Sequence, residues 1–331
     1  MRSLDVEVLM PFNNVNQYFI PAIKSVLASQ GVNVRLLLID DRPDVVSTIP
    51  KIPTLDYSII RTSRRGYGNA LAEGLQNVHS EFFAIMNADD LIHPLRIIRQ
   101  VSSLNKFSSD LSIGRILKFN DKLRITSQKL GHMPSGNYDP RVLLLGSYGG
   151  DATWCGRTEV LKSWNISNEL SSDWITSLRY FPSNLVTYVP NAYYFYRQHN
   201  QQLTRTFDYK DNAFDGIYRE WQLFCETCGF CYLNKEVARL ICAPWSSSAE
   251  LTRESLQLSM NWLSDFNENT QKRYSSLVNR RKAYLSFKAL QGGLKPSKFL
   301  MPSTLALINY LHESLLNIFR TFIFAKFLRV K

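Results

Sequence analysis

The chain has 331 residues, of which 45% are hydrophobic and 12% are aromatic, and this composition excludes a disordered protein. Its formal net charge of +11 favours anionic partners, such as nucleotide phosphates, an acidic membrane surface, an acidic polymer or nucleic acid. Because the sequence has neither a dense Lys/Arg tract interleaved with aromatic residues nor zinc-finger spacing, we expect no nucleic-acid partner.

Short apolar runs alternate with amphipathic stretches in the first half of the chain. The apolar runs predict strands over residues 6–10, 34–39, 57–60 and 82–86. The amphipathic stretches predict helices over residues 16–29, 68–78 and 93–106. Such alternation favours an α/β fold with a mostly parallel sheet and helices on both faces.

Polar residues follow three of these predicted strands. Asn13 follows the first strand, Asp40 and Asp41 follow the second, and Asn87-Ala88-Asp89-Asp90 follows the fourth. Ligands of open α/β sheets bind outside the carboxyl ends of the strands, so we expect these groups to form one site. Adjacent carboxylates after a buried strand are costly unless they are neutralised, and their oxygen atoms suit Mg²⁺ or Mn²⁺. The alternative is a polar strand-to-turn junction that only caps the next helix.

The second half of the chain is predicted to become helical. Residues 110–205 mix short strands with loops, and residues 185–197 read as a strand pair interrupted at Pro190-Asn191. Beyond residue 206 the pattern predicts helices over residues 208–230, 233–242, 253–264, 268–289 and 303–328. We therefore predict two parts, residues 1–205 and residues 206–331.

Three cysteines, Cys225, Cys228 and Cys231, recur at every third residue. This spacing is compatible with a metal site, but no fourth ligand stands beside them and Cys242 is well separated. Residues at i, i+3 and i+6 also share one face of a helix. We therefore expect these cysteines to be core residues.

The predicted last helix is strongly apolar and ends in basic residues. Its apolar run is interrupted too early to span a bilayer, but residues 303–331 suit an anionic membrane surface. A buried closing helix and a dimer interface are the alternatives, so a homo-oligomer stays open. The N-terminal residues lack the apolar core of a signal peptide, and we expect a cytoplasmic protein with free thiols, or one bound peripherally at the inner face of the cell membrane.

Six motifs follow one another along the chain. They are Met10-Pro11-Phe12-Asn13-Asn14, Ile39-Asp40-Asp41, Arg64-Arg65-Gly66-Tyr67-Gly68-Asn69-Ala70, Met86-Asn87-Ala88-Asp89-Asp90, Ser172-Asp173-Trp174 with Arg179, and Tyr196-Arg197-Gln198-His199 with Thr204. In this order they resemble the motifs of the family 2 inverting glycosyltransferases. The resemblance covers roughly residues 5–205 and implies a GT-A fold, which is Rossmann-like, followed by a helical C-terminal region.

The resemblance implies a site for the nucleotide of a sugar-nucleotide donor. Its residues would be Pro11, Phe12, Asn13, Asp40, Asp41, Arg65, Gly66, Asn69, Asn87 and Ala88. Asp40 or Asp41 would contact the base, and because a carboxylate suits the N–H of a uracil imide, a UDP-sugar is expected. The alternatives are a simple turn at Asp40-Asp41 and a solvated basic turn around Gly66.

The segment from Asn87 to Asp90 resembles the family's metal-binding Asp-x-Asp motif, with Asn in the first position. The resemblance implies a Mn²⁺ or Mg²⁺ cofactor held by Asp89, Asp90 and His199. Because Asn87 brings no charge, the cation would rest mainly on Asp89. The alternative for His199 is an ordinary surface-loop histidine.

Asp173 matches the position of the family's general base, which removes a proton from the acceptor hydroxyl. Trp174 would then form part of the platform for the acceptor sugar, because sugars present apolar faces to aromatic rings. The alternative is that Asp173 is only the N-cap of the helix that follows it.

These inferences predict a metal-dependent inverting transferase for a hexosyl or related sugar. The donor would be a nucleotide-sugar, and the acceptor would be a hydroxyl of a glycan or lipid-linked glycan in cell-surface glycan synthesis. A non-catalytic nucleotide-sugar-binding scaffold of the same fold is one alternative. A sugar nucleotidyltransferase is another, although Pro11-Phe12-Asn13-Asn14 lacks the glycines of a phosphate-binding loop.

Overall fold

The computed structural model describes residues 4–42, 57–62, 66–121, 123–128, 135–200, 202, 207–243, 251–291 and 294. The predictions made for Arg65, for Thr204 and for the last helix lie outside these residues. The chain divides into two compact units, the first with residues Met1–Asp139 and Gly149–His199 and the second with residues Pro140–Tyr148 and Asn200–Lys331. Residues Pro140–Tyr148 belong to the second unit. The boundary predicted near residue 206 places them in the first part instead.

The first unit is an α/β structure. Its strands are β1 Asp5–Phe12, β2 Asn33–Asp40, β3 Tyr57–Arg61, β4 Phe82–Ile85, β5 Leu91–Ile92, β6 Leu111–Asn120, β7 Ile125–Gln128, β8 Gly136–Asn137, β9 Trp154–Arg157 and β10 Val186–Gln198. Its α-helices are α1 Phe19–Leu27, α2 Tyr67–Gln76, α3 Arg96–Phe107, α4 Thr158–Lys162 and α5 Ser172–Tyr180.

Within the described residues the strands form one sheet in the order β3-β2-β1-β4-β9-β6-β10-β5, with β7 beside β6 and β8 beside β10. The pairs among β3, β2, β1 and β4 are parallel, as is the pair of β6 with β10. Strand β9 runs antiparallel between β4 and β6, so the second half of the sheet is mixed. The predicted α/β class, with its parallel first half, is confirmed.

Successive residues of β1 are buried on opposite faces of the sheet. Val6, Val8 and Met10 join a cluster that includes buried residues of α1 and α3, whereas Leu9 faces α2. The helix α2 approaches so closely at Gly74 that an added Cβ would stand 2.2 Å from the Ile39 side chain. The close approach of α2 therefore requires the small residue at this position.

The predicted strand pair over residues 185–197 is one strand, β10, rather than two. Its pairing with β6 shifts register between Val189 and Tyr193, around Pro190 and Asn191. Proline has no backbone N–H for the ladder, which explains an irregularity instead of regular pairing here. The strand resumes beyond this point and continues to Gln198, so the interruption is local.

The second unit contains the helices α6 Phe207–Thr227, α7 Lys235–Cys242, α8 Arg253–Asn269 and α9 Ser275–Gln291. The side chain of Asn234 caps α7, and Thr252 with Ser255 forms a capping box at α8. Because α6 ends at Thr227, Cys228 and Cys231 do not share a helix face with Cys225. Cys225 is buried as predicted, but Cys231 is exposed, and the core prediction is wrong for that residue.

Among the described residues, no helix combines the length and the apolarity that crossing a bilayer requires. The expectation of contact with an anionic membrane surface concerns residues 303–331, outside the described ranges, and it stays a prediction.

Candidate active site

The carboxyl ends of neighbouring parallel strands carry much of the predicted site. β1 lies between β2 and β4, and Phe12 in β1 pairs with Asp40 in β2. Pro11 and Phe12 are buried within β1, whereas Asn13 directly after it is exposed. The pairing therefore brings Asn13, Asp40 and the segment after β4 to the same edge of the sheet.

Asp40 is buried and forms a two-pronged ion pair with Arg42. The Arg42 side chain donates from Nε to Oδ1 at 2.7 Å and from Nη2 to Oδ2 at 2.6 Å, and its guanidinium lies 5.0 Å from the centre of the Phe12 ring. Burial raises the pKa of Asp40, but the hydrogen bonds and charge of Arg42, together with the charge of Arg61, bring it below the usual value. Asp40 is therefore ionised, and Arg42 balances its charge.

Asp41 connects the end of β2 to the start of α2. Its Oδ1 accepts a hydrogen bond from Oγ1 of Thr62 at 2.6 Å, and its Oδ2 accepts one from the backbone N–H of Gly66 at 3.0 Å. Gly66 has a φ of 83°, which favours glycine, and a Cβ there would stand 2.7 Å from Oδ1 of Asn168. That oxygen also accepts from the backbone N–H of Asn69 at 3.3 Å. Asp41, Gly66 and Asn69 thus belong to one local network.

Asn87 is bonded from three sides after β4. Its Oδ1 accepts from the Tyr67 hydroxyl at 3.3 Å, its Nδ2 donates to Oδ2 of Asp90 at 3.3 Å, and its backbone N–H donates to the Tyr194 hydroxyl at 3.2 Å. Ala88 is half-buried and packs against the core behind it. The turn that carries the acidic residues is therefore fixed by side chains of α2 and β10.

Asp90 is fully buried and serves this turn as a structural residue. Besides Asn87, its carboxyl accepts from the Tyr194 hydroxyl at 2.5 Å and from the backbone N–H of Arg197 at 2.6 Å. Burial, followed by the charge of Asp89, raises the pKa of Asp90 well above its usual value. Because the group is turned into the protein and meets three donors, its prediction as a metal ligand is corrected.

Asp89 and His199 meet at the surface end of the turn. Nε2 of His199 lies 2.9 Å from Oδ2 of Asp89, whose side chain is 31% exposed. Arg197 braces the pair, because its Nε donates to the backbone oxygen of Asp89 at 2.8 Å and its guanidinium lies 4.5 Å from the ring centres of Tyr18 and Phe119. His199 is itself buried, so the surface-loop alternative is wrong.

Asp173 lies in the first turn of α5 and is half-buried. The residue ahead of this helix is Ser171, so Asp173 is not the N-cap, and the capping alternative is wrong. Its Oδ2 lies 3.3 Å from the position that a Cβ on Gly150 would take. The carboxylate therefore stands beside the backbone of Gly150, at the head of the 3₁₀ turn Asp151–Thr153 that leads into β9.

Trp174 does not offer a surface for stacking. Its side chain is only 2% exposed and belongs to the protein core. A sugar platform requires an exposed ring face. The acceptor-binding prediction for Trp174 is therefore corrected to a packing role beneath Asp173.

The part of the chain that carries this sheet edge resembles a known protein family. A family model described as glycosyl transferase family 2 matches residues 7–163. Residues 7–163, a little under half of the chain, are therefore similar to glycosyl transferase family 2. The match includes β1 to β4, the turn with Asp89 and Asp90, and β9.

Curated relatives of this family 2 segment match it over limited lengths. An uncharacterized glycosyltransferase of Rickettsia typhi is 30% identical over 105 residues, which cover 31% of this chain and 33% of the relative. The succinoglycan biosynthesis protein ExoO of Rhizobium meliloti is 25% identical over 117 residues, which cover 34% of this chain and 33% of ExoO. The matched segment therefore spans about a third of each of these relatives.

The fold extends beyond the family 2 segment. The crystal structure of S. aureus TarS 1–349 in complex with UDP-GlcNAc superposes with a TM-score of 0.57 and 15% sequence identity, covering 89% of this chain and 93% of TarS 1–349. At that level of identity the likeness shows the fold, which is GT-A.

The residues of this family 2 site could supply some, but not all, of the ligands of a divalent cation. Asp89 and His199 offer one carboxylate and one imidazole nitrogen side by side. Mg²⁺ commonly takes only one or two protein ligands and completes its shell with water and substrate phosphates. No cluster of three or more acidic, histidine or cysteine side chains suited to a metal is found among the described residues. A cation here would therefore depend on the phosphates of the donor.

Asp151 lies near the site but was not predicted from the sequence. Asp151 is buried at the head of the 3₁₀ turn before β9. Burial and the charge of Asp173 raise the pKa of Asp151 to about 8. The only sequence signal was an acidic residue between Gly149-Gly150 and the apolar start of β9. Pattern analysis reads such a segment as a loop.

Proposed function

We propose that the protein is an inverting glycosyltransferase that moves a sugar from a nucleotide-sugar, preferably a UDP-sugar, to a hydroxyl of a glycan or lipid-linked glycan acceptor. The supporting observation is the group at one sheet edge of a family 2 fold, where Asp40, Asp41 and the Asn87–Asp90 turn follow adjacent strands. The UDP-GlcNAc complex of TarS, which shares the fold, supports the donor class. The name of ExoO supports a role in cell-surface glycan synthesis.

The nucleotide would lie against the ends of β1 and β2 and the start of α2. Asp41 is the better candidate for the base, because it is only half-buried, whereas Asp40 is buried in its ion pair with Arg42. The backbone at Gly66 allows close approach, and the N-terminus of α2 favours phosphate. Pro11, Phe12, Asn13, Arg65, Asn69, Asn87 and Ala88 complete the proposed donor site.

Asp89 and His199 would hold a Mn²⁺ or Mg²⁺ ion against the diphosphate of the donor. When bound, the cation supplies positive charge for the departing diphosphate. Asp90 contributes by holding the turn, through Tyr194 and the backbone of Arg197, so that the Asp89 carboxylate stays beside His199.

Asp173 would act as the general base. Its carboxylate accepts the proton of the acceptor hydroxyl while the hydroxyl oxygen forms a bond to the anomeric carbon. The bond from that carbon to the diphosphate oxygen breaks in the same step, so the configuration at carbon inverts. Such proton transfer contributes about 10²–10⁴-fold in rate. The Oδ2 of Asp173 lies 3.3 Å from the position that a Cβ on Gly150 would take, so a side chain at residue 150 would limit where the carboxylate can turn.

The remaining predictions concern the rest of the chain. We propose that residues 1–205 form the catalytic part and that residues 206–331 contact a membrane surface or a second copy. A peripheral position at the inner face of the membrane would bring Asp173 to a lipid-linked acceptor.

The function is tested by the release of UDP from a panel of UDP-sugars with Mn²⁺ or Mg²⁺, using the intact chain, Asp89→Ala and Asp173→Asn. Slow metal-dependent hydrolysis of one donor, lost in Asp89→Ala, is the expected result. Calorimetry with UDP accompanies it. Binding of UDP without turnover of donor, even with glycan acceptors present, would indicate a scaffold, and failure to bind UDP with or without metal would exclude the donor site.

A further inference from the structure

Tyr18 stands at the start of α1, and its ring contacts two of the residues that surround Asp89. The ring centre lies 4.8 Å from that of His199, with the two ring planes tilted by 40°. The guanidinium of Arg197 lies 4.5 Å from the same ring centre. His199 meets the Asp89 carboxylate through Nε2, and Arg197 donates to the Asp89 backbone oxygen. Tyr18 therefore contacts both side chains that hold Asp89 in place.

The backbone of Tyr18 is anchored independently of these contacts. Its N–H donates to Oδ1 of Asn16 at 2.9 Å, and its carbonyl oxygen accepts from the N–H of Ala22 at 3.0 Å. An Asn side chain that bonds the backbone two residues further on fixes a turn. The next residue, Phe19, is fully buried, and its ring lies 5.0 Å from that of Phe12. The Tyr18 ring is therefore presented from a part of the chain that is fixed without help from β10.

His199 lies just beyond the end of β10. The pairing of β10 with β6 ends at Gln198, opposite Asn120, so this ladder does not fix the backbone of His199. His199 is nevertheless buried, and the Tyr18 ring supplies part of its cover. A tilted contact between two aromatic rings is favourable and restricts rotation of the smaller imidazole. Tyr18 is thus placed to keep Nε2 of His199 directed at Asp89.

We propose that Tyr18 is a positioning residue of the proposed cation site, whose ring holds the imidazole of His199 so that Nε2 stays beside the Asp89 carboxylate. The inference rests on the proposed function, in which Asp89 and His199 hold the ion against the donor diphosphate. Replacing a group that orients a metal ligand commonly lowers the metal affinity about 10–100-fold. The ring rather than the hydroxyl carries this role, because both contacts are made with the ring.

Calorimetry with UDP tests this role in the intact chain, Tyr18→Phe and Tyr18→Leu, each with and without Mn²⁺. Phenylalanine keeps the ring, whereas leucine fills part of the space but cannot stack on the imidazole. We expect Mn²⁺ to improve UDP affinity equally in the intact chain and Tyr18→Phe, and Tyr18→Leu to lose about tenfold of this improvement. Without Mn²⁺ the three affinities should be the same. An equal loss with and without Mn²⁺ in Tyr18→Leu would show that Tyr18 contacts the nucleotide, and an equal loss in Tyr18→Phe would implicate the hydroxyl. Either result overturns the inference.

Phe119→Leu is the matched control. Phe119 of β6 lies at the same 4.5 Å from the Arg197 guanidinium, but in the described part of the chain no ring contact joins it to His199. Because Phe119 is more deeply buried than Tyr18, its replacement should lower the unfolding midpoint at least as much as Tyr18→Leu does. The improvement of UDP affinity by Mn²⁺ should nevertheless be kept. A comparable loss in both variants would place the effect in Arg197 and overturn the role assigned to the imidazole.

A second readout needs neither metal nor nucleotide. NMR relaxation of histidine-labelled protein gives the order parameter of the His199 imidazole C–H bonds, and the signal lost in His199→Ala identifies this ring among the five histidines. We expect a rigid value of about 0.8 in the intact chain and Tyr18→Phe, and a value below about 0.6 in Tyr18→Leu. Equal order in Tyr18→Leu and the intact chain would overturn the inference. If the order falls in Tyr18→Leu but Mn²⁺ does not improve UDP binding by the intact chain, Tyr18 positions the imidazole as inferred and the cation site of the proposed function fails.

Discussion

His199 Nε2 lies 2.9 Å from Asp89 Oδ2, although 110 residues separate them in the sequence. Strand β10 creates this contact, because Arg197 binds the backbone oxygen of Asp89 and the carboxyl of Asp90 before the chain reaches His199. The contact joins a partly exposed carboxylate to a buried imidazole at one end of the sheet. It is the strongest candidate for a cation site among the described residues.

Replacing either partner should weaken metal-dependent nucleotide binding. Asp89→Ala and His199→Ala each remove one of two proposed ligands, so we expect the affinity for UDP with Mn²⁺ to fall by about tenfold or more. Isothermal titration calorimetry with UDP, with and without Mn²⁺, measures this effect. Glu159→Gln, which changes a side chain 90% exposed on α4, is the control. Equal UDP affinity in the three variants and the intact chain would contradict the cation assignment.

Asp173→Asn should separate chemistry from donor binding. The amide cannot accept the proton of the acceptor hydroxyl, and we expect kcat for transfer to fall by about 10²–10⁴-fold. The Kd for UDP should change little, because Asp173 stands beside Gly150 rather than at the ends of β1 and β2. Initial rates with a transferable acceptor and calorimetry with UDP give the two values. Parallel losses in rate and affinity would show that Asp173 belongs to the donor site instead.

The sequence predicted the first half of the fold because the local pattern carries the information. Apolar residues of β1 and α1 repeat with the periods of a strand and a helix, and those periods decide which face is buried. The short strand β9 was not predicted, because the four residues from Trp154 give no periodicity. Trp174 was misjudged because an aromatic residue beside a polar site reads equally as a platform or as core.

The polar pairings of the site could not be predicted in the same way. Asp89 was placed correctly at a strand end, but its contact with His199 depends on where β10 emerges. The bond between Tyr67 and Asn87 likewise depends on two elements that meet only in the folded chain. Sequence patterns specify burial and direction for each element, whereas side-chain partners are decided by the tertiary arrangement.

Gly150→Ala should disturb the proposed base without changing any charge. The added Cβ would stand 3.3 Å from Oδ2 of Asp173, so the carboxylate must move by a few tenths of an ångström. Catalysis is sensitive to misplacement of this size, and we expect kcat to fall by about tenfold or more. Steady-state transfer kinetics measure the loss.

Gly149→Ala is the matched control for that variant. Its Cβ would also meet an atom at 3.3 Å, but the neighbour is the ring of Phe181 rather than a catalytic carboxylate. Both variants should have similar unfolding midpoints, while only Gly150→Ala loses rate. A comparable loss of rate in both would mean that general crowding of the 149–150 segment, and not the position of Asp173, is responsible.

Arg96→Met should be strongly destabilising. Arg96 is fully buried, with its guanidinium 5.1 Å from the centre of the Tyr194 ring, and it donates to the backbone oxygens of Ile85, Ala152 and Trp154. Methionine can fill the space but leaves these buried acceptors without their donor. An unsatisfied buried polar group costs about 1–3 kcal/mol, so we expect the free energy of unfolding to fall by roughly 3 kcal/mol or more.

Urea unfolding measures the free energy of unfolding, and it should be compared for the intact chain, Arg96→Met and Arg99→Met. Arg99 lies on the same helix and donates to one backbone oxygen, that of Asn191, at the surface, so its replacement should cost about 1 kcal/mol or less. Arg96 ties the end of β4 to the segment before β9, the two elements that carry Asn87 and Asp151. We therefore expect residual folded Arg96→Met to bind UDP more weakly than Arg99→Met. Equal stability of the two variants would show that solvent or neighbouring donors satisfy these carbonyls, and that the guanidinium does not hold the two elements together.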